Sequence, residues 1–167
     1  MKNLNSELIR IKAIAYDSSS LLISDLEIDS ESKAYKGCQF KLNGRNIVCR
    51  NGKITPRKTG QFVAFWKRNK SGATAPFSES DKIDFYIINV TKGKRIGQFL
   101  FPKSILLEKG IMATSQKDGK RGFRVYPIWD AVDNKQAKNT QQWQLNHFVE
   151  FGDPESIKTV KELFEKY

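Results

Sequence analysis

Apolar residues recur at helical spacing near both ends of the chain. Residues 6–15 place them on one helical face, with Ser6 suited to cap the helix, and residues 134–151 show a similar pattern. Pro154 then begins a last helix that continues to Phe164, because proline is favoured in the first helical turn. The pattern therefore predicts one helix near the N-terminus and two near the C-terminus.

The middle of the chain is rich in β-branched and aromatic residues, which favours strands. The dipeptides Asn43-Gly44 and Asn51-Gly52 lie between apolar runs, and Asn-Gly is the strongest short-range signal for a hairpin turn. Four further strands are predicted over residues 61–66, 83–90, 97–101 and 122–126. The short apolar run at 19–25 fits either a helix end or a loop.

Together these elements predict an α+β fold, with a central mixed or antiparallel sheet of about five to seven strands flanked by N- and C-terminal helices. No internal repeat or linker interrupts the pattern, so residues 1–167 are expected to form a single domain. No apolar run is long enough to span a bilayer, and the first residues lack the apolar core of a signal peptide. We therefore expect a cytoplasmic protein without membrane insertion, whose oligomeric state the sequence leaves open.

The chain has two cysteines, Cys38 and Cys49. In a reducing compartment both are expected to be buried and to act as small apolar residues. A disulfide between them requires that their strands lie side by side.

Positive charge is concentrated in the middle of the chain. Residues 33–124 hold 21 Lys and Arg against five Asp and Glu, a net charge of +16, whereas the remaining 8 bases and 13 acids sum to −5. Such a region repels itself and attracts polyanions such as nucleic acid or an anionic membrane surface. The aromatic content of 11% is that of a globular protein rather than a disordered basic tail. We therefore expect nucleic acid, DNA or RNA, as the partner.

The first basic cluster covers residues 53–70 and surrounds a predicted strand. Its candidate phosphate-binding side chains are Arg57, Lys58, Lys67 and Arg68. Cations at both ends of a strand, beside threonine hydroxyls and loop N–H groups, are suited to follow a phosphate backbone. The alternative is that they are solvated strand ends, which also prevent edge-to-edge pairing of sheets.

The second basic cluster covers residues 117–130 and is the stronger candidate. Its candidate binding side chains are Lys120, Arg121, Arg124, Tyr126 and Trp129. Arginine binds phosphate by two parallel hydrogen bonds, glycine lets the backbone approach a ligand closely, and aromatic rings stack on bases. Strand alternation places Arg124 and Tyr126 on one face and the intervening apolar residues on the other. The alternative is that Tyr126 and Trp129 lie at the edge of the core while nearby aspartates pair with the arginines.

A mixed sheet between helices under a basic surface also suits a metal-dependent nuclease of restriction-endonuclease type. Such enzymes hold Mg²⁺ between an Asp on one strand and, on the next, an acid that is followed two residues later by Lys. Here Asp84 begins one strand, but the next strand carries Gln98 and Leu100 at those positions. The alternative function is therefore a nuclease-like or other phosphate-processing enzyme with a degenerate site, in which Asp84 and Gln98 are remnants and Mg²⁺ is the cofactor. For nucleic-acid binding itself the sequence predicts no cofactor and no metal site.

Several long strings of the sequence resemble the MepB family. They are residues 53–63, 66–68, 97–103, 119–130 and 140–144. The family comprises small bacterial proteins and is named for a member encoded with a multidrug efflux pump. The resemblance implies a bacterial cytosolic α+β protein, with nucleic-acid binding and a nuclease-like fold as suggestions, and supplies no catalytic residues. Most of the familiar strings lie in the two basic clusters, so the resemblance and the charge pattern select the same parts of the chain.

Overall fold

The computed structural model describes residues 5–167, which contain eleven strands and four α-helices. The strands are β1 (Ile23–Ile28), β2 (Cys38–Leu42), β3 (Arg45–Asn51), β4 (Lys53–Thr55), β5 (Lys58–Ala64), β6 (Trp66–Arg68), β7 (Thr74–Pro76), β8 (Phe85–Lys92), β9 (Arg95–Pro102), β10 (Gly122–Val125) and β11 (Phe148–Phe151). The α-helices are α1 (Ser6–Ile11), α2 (Lys103–Glu108), α3 (Lys135–Gln144) and α4 (Pro154–Glu165). A π-helical turn follows α1 at Lys12–Tyr16, and 3₁₀ turns lie at Asp17–Ser19, Ser30–Tyr35 and Leu145–His147.

Six strands form the main sheet in the order β1-β2-β3-β8-β9-β11. β3 and β8 are parallel, and the other neighbours are antiparallel, so the sheet is mixed. β10, β5 and β4 form a separate three-stranded sheet, which we call the small sheet. β6 and β7 form a two-stranded ribbon. The α+β class and the six-stranded central sheet confirm the prediction.

Two hydrophobic cores lie on opposite faces of the main sheet. On one face the N-terminal helical segments and α4 contribute Leu8, Tyr16 and Phe164 to a core with β2, β3 and β8. On the other face the small sheet packs through alternate residues, and the ring of Phe65 stacks on that of Tyr86 at a centroid distance of 4.1 Å. The small sheet therefore has one face against the core and one face turned outward.

No helix among residues 5–167 is long and apolar enough to cross a membrane.

The predicted boundaries of the terminal helices need two corrections. The cap of α1 is Asn5 rather than Ser6, since the Asn5 side chain accepts a hydrogen bond from the backbone N–H of Leu8. The predicted helix over 134–151 ends at Gln144, and its last residues form β11, which pairs with β9. This strand gives the edge of β9 a hydrogen-bonding partner, a tertiary contact that outweighs the local helical spacing.

The two Asn-Gly dipeptides behave differently. Asn43 and Gly44 have φ of 48° and 82° and join β2 to β3 as a hairpin, which confirms the prediction. The hairpin predicted at the second dipeptide is wrong, because it joins β3 to β4 of the small sheet. Gly52 is needed there for close packing, since a Cβ would lie 2.7 Å from Oε1 of Gln61. The apolar run at 19–25, which fits a helix end or a loop by sequence, follows a 3₁₀ turn that ends at Ser19 and enters β1 at Ile23.

The two cysteines lie opposite each other on neighbouring strands. Cys38 of β2 is in register with Cys49 of β3, and both are buried, unlinked thiols. Their strands therefore do lie side by side.

His147 is the one histidine of the chain and is buried beside the rings of Phe101 and Tyr167. Burial, helped by the charge of Lys166 and opposed by that of Glu108, holds the pKa of His147 below its usual range. The unfolded chain therefore binds this proton more readily than the folded protein does. We expect the free energy of unfolding to fall as the pH drops through about 6.5.

Urea unfolding of the wild type and of His147→Phe, between about pH 7.5 and pH 5.5, measures this effect. The wild type should lose stability towards the acid end, and the variant should lose much less. Equal slopes in the two proteins would assign the pH dependence to other groups.

Candidate functional site

The second basic cluster lies on the small sheet, whose strand order is β10-β5-β4. Arg124 of β10 is opposite Phe62 of β5, and Phe62 is opposite Lys53 of β4. Residues directly opposite on neighbouring strands share a face, so these three side chains form a row across the sheet. Lys58 is opposite Thr55 at the end of the same face. We call these five residues the outer face, because the alternate residues of β5 and β10 point into the core.

Two aromatic rings lie against glycines on the outward side of the small sheet. A Cβ on Gly60 would lie 2.7 Å from a ring carbon of Tyr126, and a Cβ on Gly122 would lie 2.5 Å from a ring carbon of Phe62. The absence of a side chain at each glycine therefore lets an aromatic ring pack directly against the backbone. This packing confirms that Arg124 and Tyr126 project from the outward side, as the alternation predicted.

A third ring comes from the 3₁₀ turn before β2. The centroid of Tyr35 lies 6.4 Å from that of Phe62, and Nζ of Lys53 lies 5.4 Å from the Tyr35 centroid. Aromatic rings thus alternate with cations over this surface, which is the arrangement that single-stranded nucleic acid binds in other proteins.

Arg124 occupies the centre of the surface and is held in place by two hydrogen bonds. Its Nη2 donates to Oγ1 of Thr55 at 2.7 Å, and its Nη1 donates to the carbonyl of Thr59 at 3.3 Å. A guanidinium carries five N–H donors, so others remain to bind a phosphate. Arg57 and Lys58 are exposed close by, in the turn between β4 and β5 and at the start of β5.

Lys120 and Arg121 lie at the other end of β10. Both side chains are exposed, and Nη2 of Arg121 donates to the carbonyl of Thr74 at 3.3 Å. The backbone of this segment is fixed, because Lys120 donates its N–H to the carbonyl of Ile111 and Arg121 accepts from the N–H of Phe65. The predicted cations of both clusters therefore lie along β10 and β5, except for those on β6 and for the guanidinium of Arg121, which extends to β7.

The β6 cations, Lys67 and Arg68, have acidic partners. Nζ of Lys67 lies 2.7 Å from Asp81, and Nε of Arg68 lies 2.6 Å from Glu31. Burial raises the pKa of Asp81, but hydrogen bonds from Lys67 and from the N–H of Ser78 outweigh it and hold this pKa below its usual value. Lys67 and Arg68 are thus compensated charges, which fits the alternative that the cations of β6 are ordinary strand ends at the surface.

Trp129 lies at the edge of the core between the main sheet and the small sheet, instead of on the outward surface. Its ring packs edge-to-face on Phe148 at 5.8 Å, and the guanidinium of Arg95 lies 5.1 Å from its centroid. The indole Nε1 is buried and has no hydrogen-bond partner among the described residues. This packing fits the alternative in which Trp129 lies at the edge of the core, and its stacking on a base stays a prediction.

Two glutamines of α3 anchor the chain that follows β10, a role that sequence reasoning missed. Gln144 donates to the carbonyl of Arg124 and accepts from the N–H of Tyr126, both at 2.9 Å. Nε2 of Gln141 donates to the carbonyls of Pro127 and Asp130 at 3.0 Å. Their amides are therefore used to hold Tyr126 in position.

The structure does not bring together Asp84 and Gln98, the candidates for a degenerate metal site. Gln98 is opposite Asn89, and Asp84 lies five residues before Asn89, which is about 16 Å along an extended chain. Gln98 is completely buried, where it accepts from the hydroxyl of Tyr16 and donates to Asn89, both at 2.8 Å. Asp84 is exposed and accepts from the backbone N–H of Asn46 at 2.8 Å. Within residues 5–167, moreover, no three His, Cys, Asp or Glu side chains are grouped closely enough to hold a metal ion.

Comparisons with known proteins agree with the resemblance in the sequence. The MepB-like family model matches residues 29–150, which include both basic clusters and the whole small sheet. The crystal structure of MepB is similar to this one, with 33% sequence identity, a TM-score of 0.78 and a match that covers 89% of this chain and 99% of MepB. None of the curated proteins matches the chain. The chain belongs to the MepB-like family.

Proposed function

We propose that this protein binds nucleic acid through the outer face of its small sheet and the cations beside it, by contacts to the phosphate backbone with little sequence specificity. The main support is that six cations of this surface have no ion-pair partner among residues 5–167. They are Lys53, Arg57, Lys58, Lys120, Arg121 and Arg124. By contrast, Lys67, Arg68 and Arg95 each contact a carboxylate.

Uncompensated charges of one sign repel each other, and a polyanion removes that repulsion while it releases its own counterions. The rings of Tyr35, Phe62 and Tyr126 add apolar surface between these charges. Aromatic rings stack on bases only where the bases are not already stacked in a duplex. Single-stranded nucleic acid therefore fits this surface better than a duplex does.

Little base-specific recognition is expected. The amides closest to the surface are used inside the protein: Nε2 of Gln61 donates to the carbonyl of Thr91, and Gln141 and Gln144 hold the segment after β10. Specific readout of base edges relies on such groups being free to form paired hydrogen bonds. The free groups here are Lys and Arg, which bind phosphates of any sequence.

Fluorescence anisotropy tests the proposal directly. Labelled single-stranded DNA, RNA and duplex DNA are titrated with the protein at several salt concentrations, with Mg²⁺ or with EDTA, and each probe is checked for cleavage afterwards. We expect single strands to bind more tightly than the duplex, with an affinity that is insensitive to sequence and falls with salt by about 0.7 log units per log unit of salt for each phosphate contacted. Absence of binding at low salt would refute the proposal, and a probe shortened only with Mg²⁺ would favour the nuclease alternative.

A further inference from the structure

A cavity of about 400 Å³ lies between β10 and α3, next to the outer face. One wall is the strand segment that carries Gly122 and Arg124, and the other is one side of α3, including Gln136 and Thr140. Gln144 of α3 donates to the carbonyl of Arg124 and accepts from the N–H of Tyr126, and these two hydrogen bonds hold the walls together. The cavity is therefore built into the fold, and its volume is that of a small-molecule site rather than of a single ion.

The charge of this cavity is of one sign. Lys109 and Lys120 line it together with Arg124, whose guanidinium extends across the sheet towards Thr55, and none of its thirteen lining residues is acidic. None of these three cations forms an ion pair with a carboxylate of the described chain. Two other cavities mix acids with bases: one combines Asp29 and Glu31 with Lys67 and Arg68, and the other combines Asp25 and Glu27 with Lys41 and Lys82. Electrostatics thus favours an anion in this cavity more than in those two.

The remaining lining groups suit a base and a sugar. Phe123, Tyr126 and Trp143 contribute aromatic surface, and Asn134, Gln136 and Thr140 contribute uncharged hydrogen-bonding groups. Nζ of Lys109 lies 5.3 Å from the centroid of Trp143, which places a cation beside an aromatic ring at the cavity. Cations that bind phosphate, next to rings that contact a base, form the pattern of a nucleotide site.

From this arrangement we infer that the cavity binds one nucleotide through its phosphate monoester and its base. The nucleotide is either free or the phosphorylated end of a strand that lies on the outer face. The second source rests on the proposed function, because the cavity shares Arg124 and Lys120 with the proposed nucleic-acid surface.

Isothermal titration with adenosine 5′-monophosphate, inorganic phosphate and adenosine tests the inference. We expect saturable binding of the monophosphate at a single site, at least about tenfold tighter than that of inorganic phosphate or adenosine, since only the monophosphate uses both halves of the cavity. Lys109→Gln and Thr140→Phe should each weaken the monophosphate about tenfold or more, the first by removing a cation and the second by filling space. Lys94→Gln removes one exposed charge from the turn between β8 and β9 and should bind like the wild type.

A second titration, of single strands with a 5′-phosphate or a 5′-hydroxyl, separates the two sources. Tighter binding of the phosphorylated strand to the wild type but not to Thr140→Phe identifies the strand end, and equal binding of both strands identifies the free nucleotide. No saturable binding of the monophosphate to the wild type, or unchanged binding in both cavity variants, would overturn the inference. The proposed function would fail separately, if the 5′-hydroxyl strand did not bind to the wild type.

Discussion

A variant that carries Lys53→Gln, Lys58→Gln and Arg124→Gln together is expected to bind single-stranded nucleic acid about a hundredfold more weakly than the wild type at low salt. The three side chains lie on adjoining strands of the small sheet and project from the same face. Each phosphate bound by a cation releases counterions, so the salt dependence should also become shallower, by about 0.7 in the log–log slope for each phosphate that the variant no longer binds. Anisotropy titrations at several salt concentrations measure both effects.

The matched control removes three lysines elsewhere on the surface. Lys94→Gln, Lys158→Gln and Lys161→Gln together change the net charge by the same amount. Lys94 is exposed in a turn, and the two lysines of α4 form only exposed ion pairs with Glu162 and Glu165, which contribute little to stability. This control should keep most of the affinity. Equal losses of affinity in the two variants would mean that net charge alone, rather than the outer face, attracts the nucleic acid.

Asp29→Ala is expected to lower the free energy of unfolding by about 3 kcal/mol, because it leaves a buried charge without its partner. Arg50 is only 2% exposed, and its Nη2 donates to Oδ2 of Asp29 at 2.8 Å. Its Nε donates to Oγ of Ser32 at 3.0 Å, while its Nη1 is buried and has no partner among the described residues. The Asp29 carboxylate is thus the one counter-charge that contacts Arg50 within residues 5–167.

Asp29 also organises the turn that positions Tyr35. Its carboxylate accepts from the N–H of Glu31 and from the hydroxyl of Ser32, so it caps the 3₁₀ turn at Ser30–Tyr35. Burial raises the pKa of Asp29, but these hydrogen bonds and the charge of Arg50 outweigh it and keep this pKa below its usual range. The carboxylate is therefore ionised at neutral pH, and its contribution to stability is lost as the pH falls below about 4.

The double variant Asp29→Ala, Arg50→Met distinguishes an unpaired charge from a lost cap. Replacing both members of a buried ion pair by apolar residues is often close to neutral, so the double variant should recover much of the stability lost by Asp29→Ala. Urea unfolding of the two variants and the wild type provides the measurement. If Asp29→Ala is as stable as the wild type, the pair does not compensate a buried charge. If the double variant is no more stable than the single one, the loss comes from the cap.

The alternation of residues within each segment was sufficient to predict strands at β5 and β10, which carry the basic surface. The alternation of Arg124 with apolar neighbours correctly placed its side chain on the outward side, because strand period is a property of the segment itself. The same rule applied to residues 58–64 places Lys58 and Phe62 on one face, so a signal for these two residues was present in the sequence.

What the sequence could not supply was the pairing of distant segments. That β10 joins β5 and β4 in a separate sheet depends on contacts between residues far apart in the chain, such as Arg124 and Phe62, and no local period encodes them. The same limit explains Trp129, whose partners Arg95 and Phe148 come from β9 and β11. It also explains why Tyr35, in a 3₁₀ turn outside the basic clusters, was missed.

Lysine footprinting is the most direct test of the outer face. The protein is treated with a lysine-acylating reagent with and without saturating single-stranded DNA, and modification at each lysine is read by mass spectrometry. We predict that the DNA protects Lys53, Lys58 and Lys120 and leaves Lys94, Lys158 and Lys161 as reactive as in the free protein. Protection spread evenly over all exposed lysines, or confined to those of α4, would contradict this prediction.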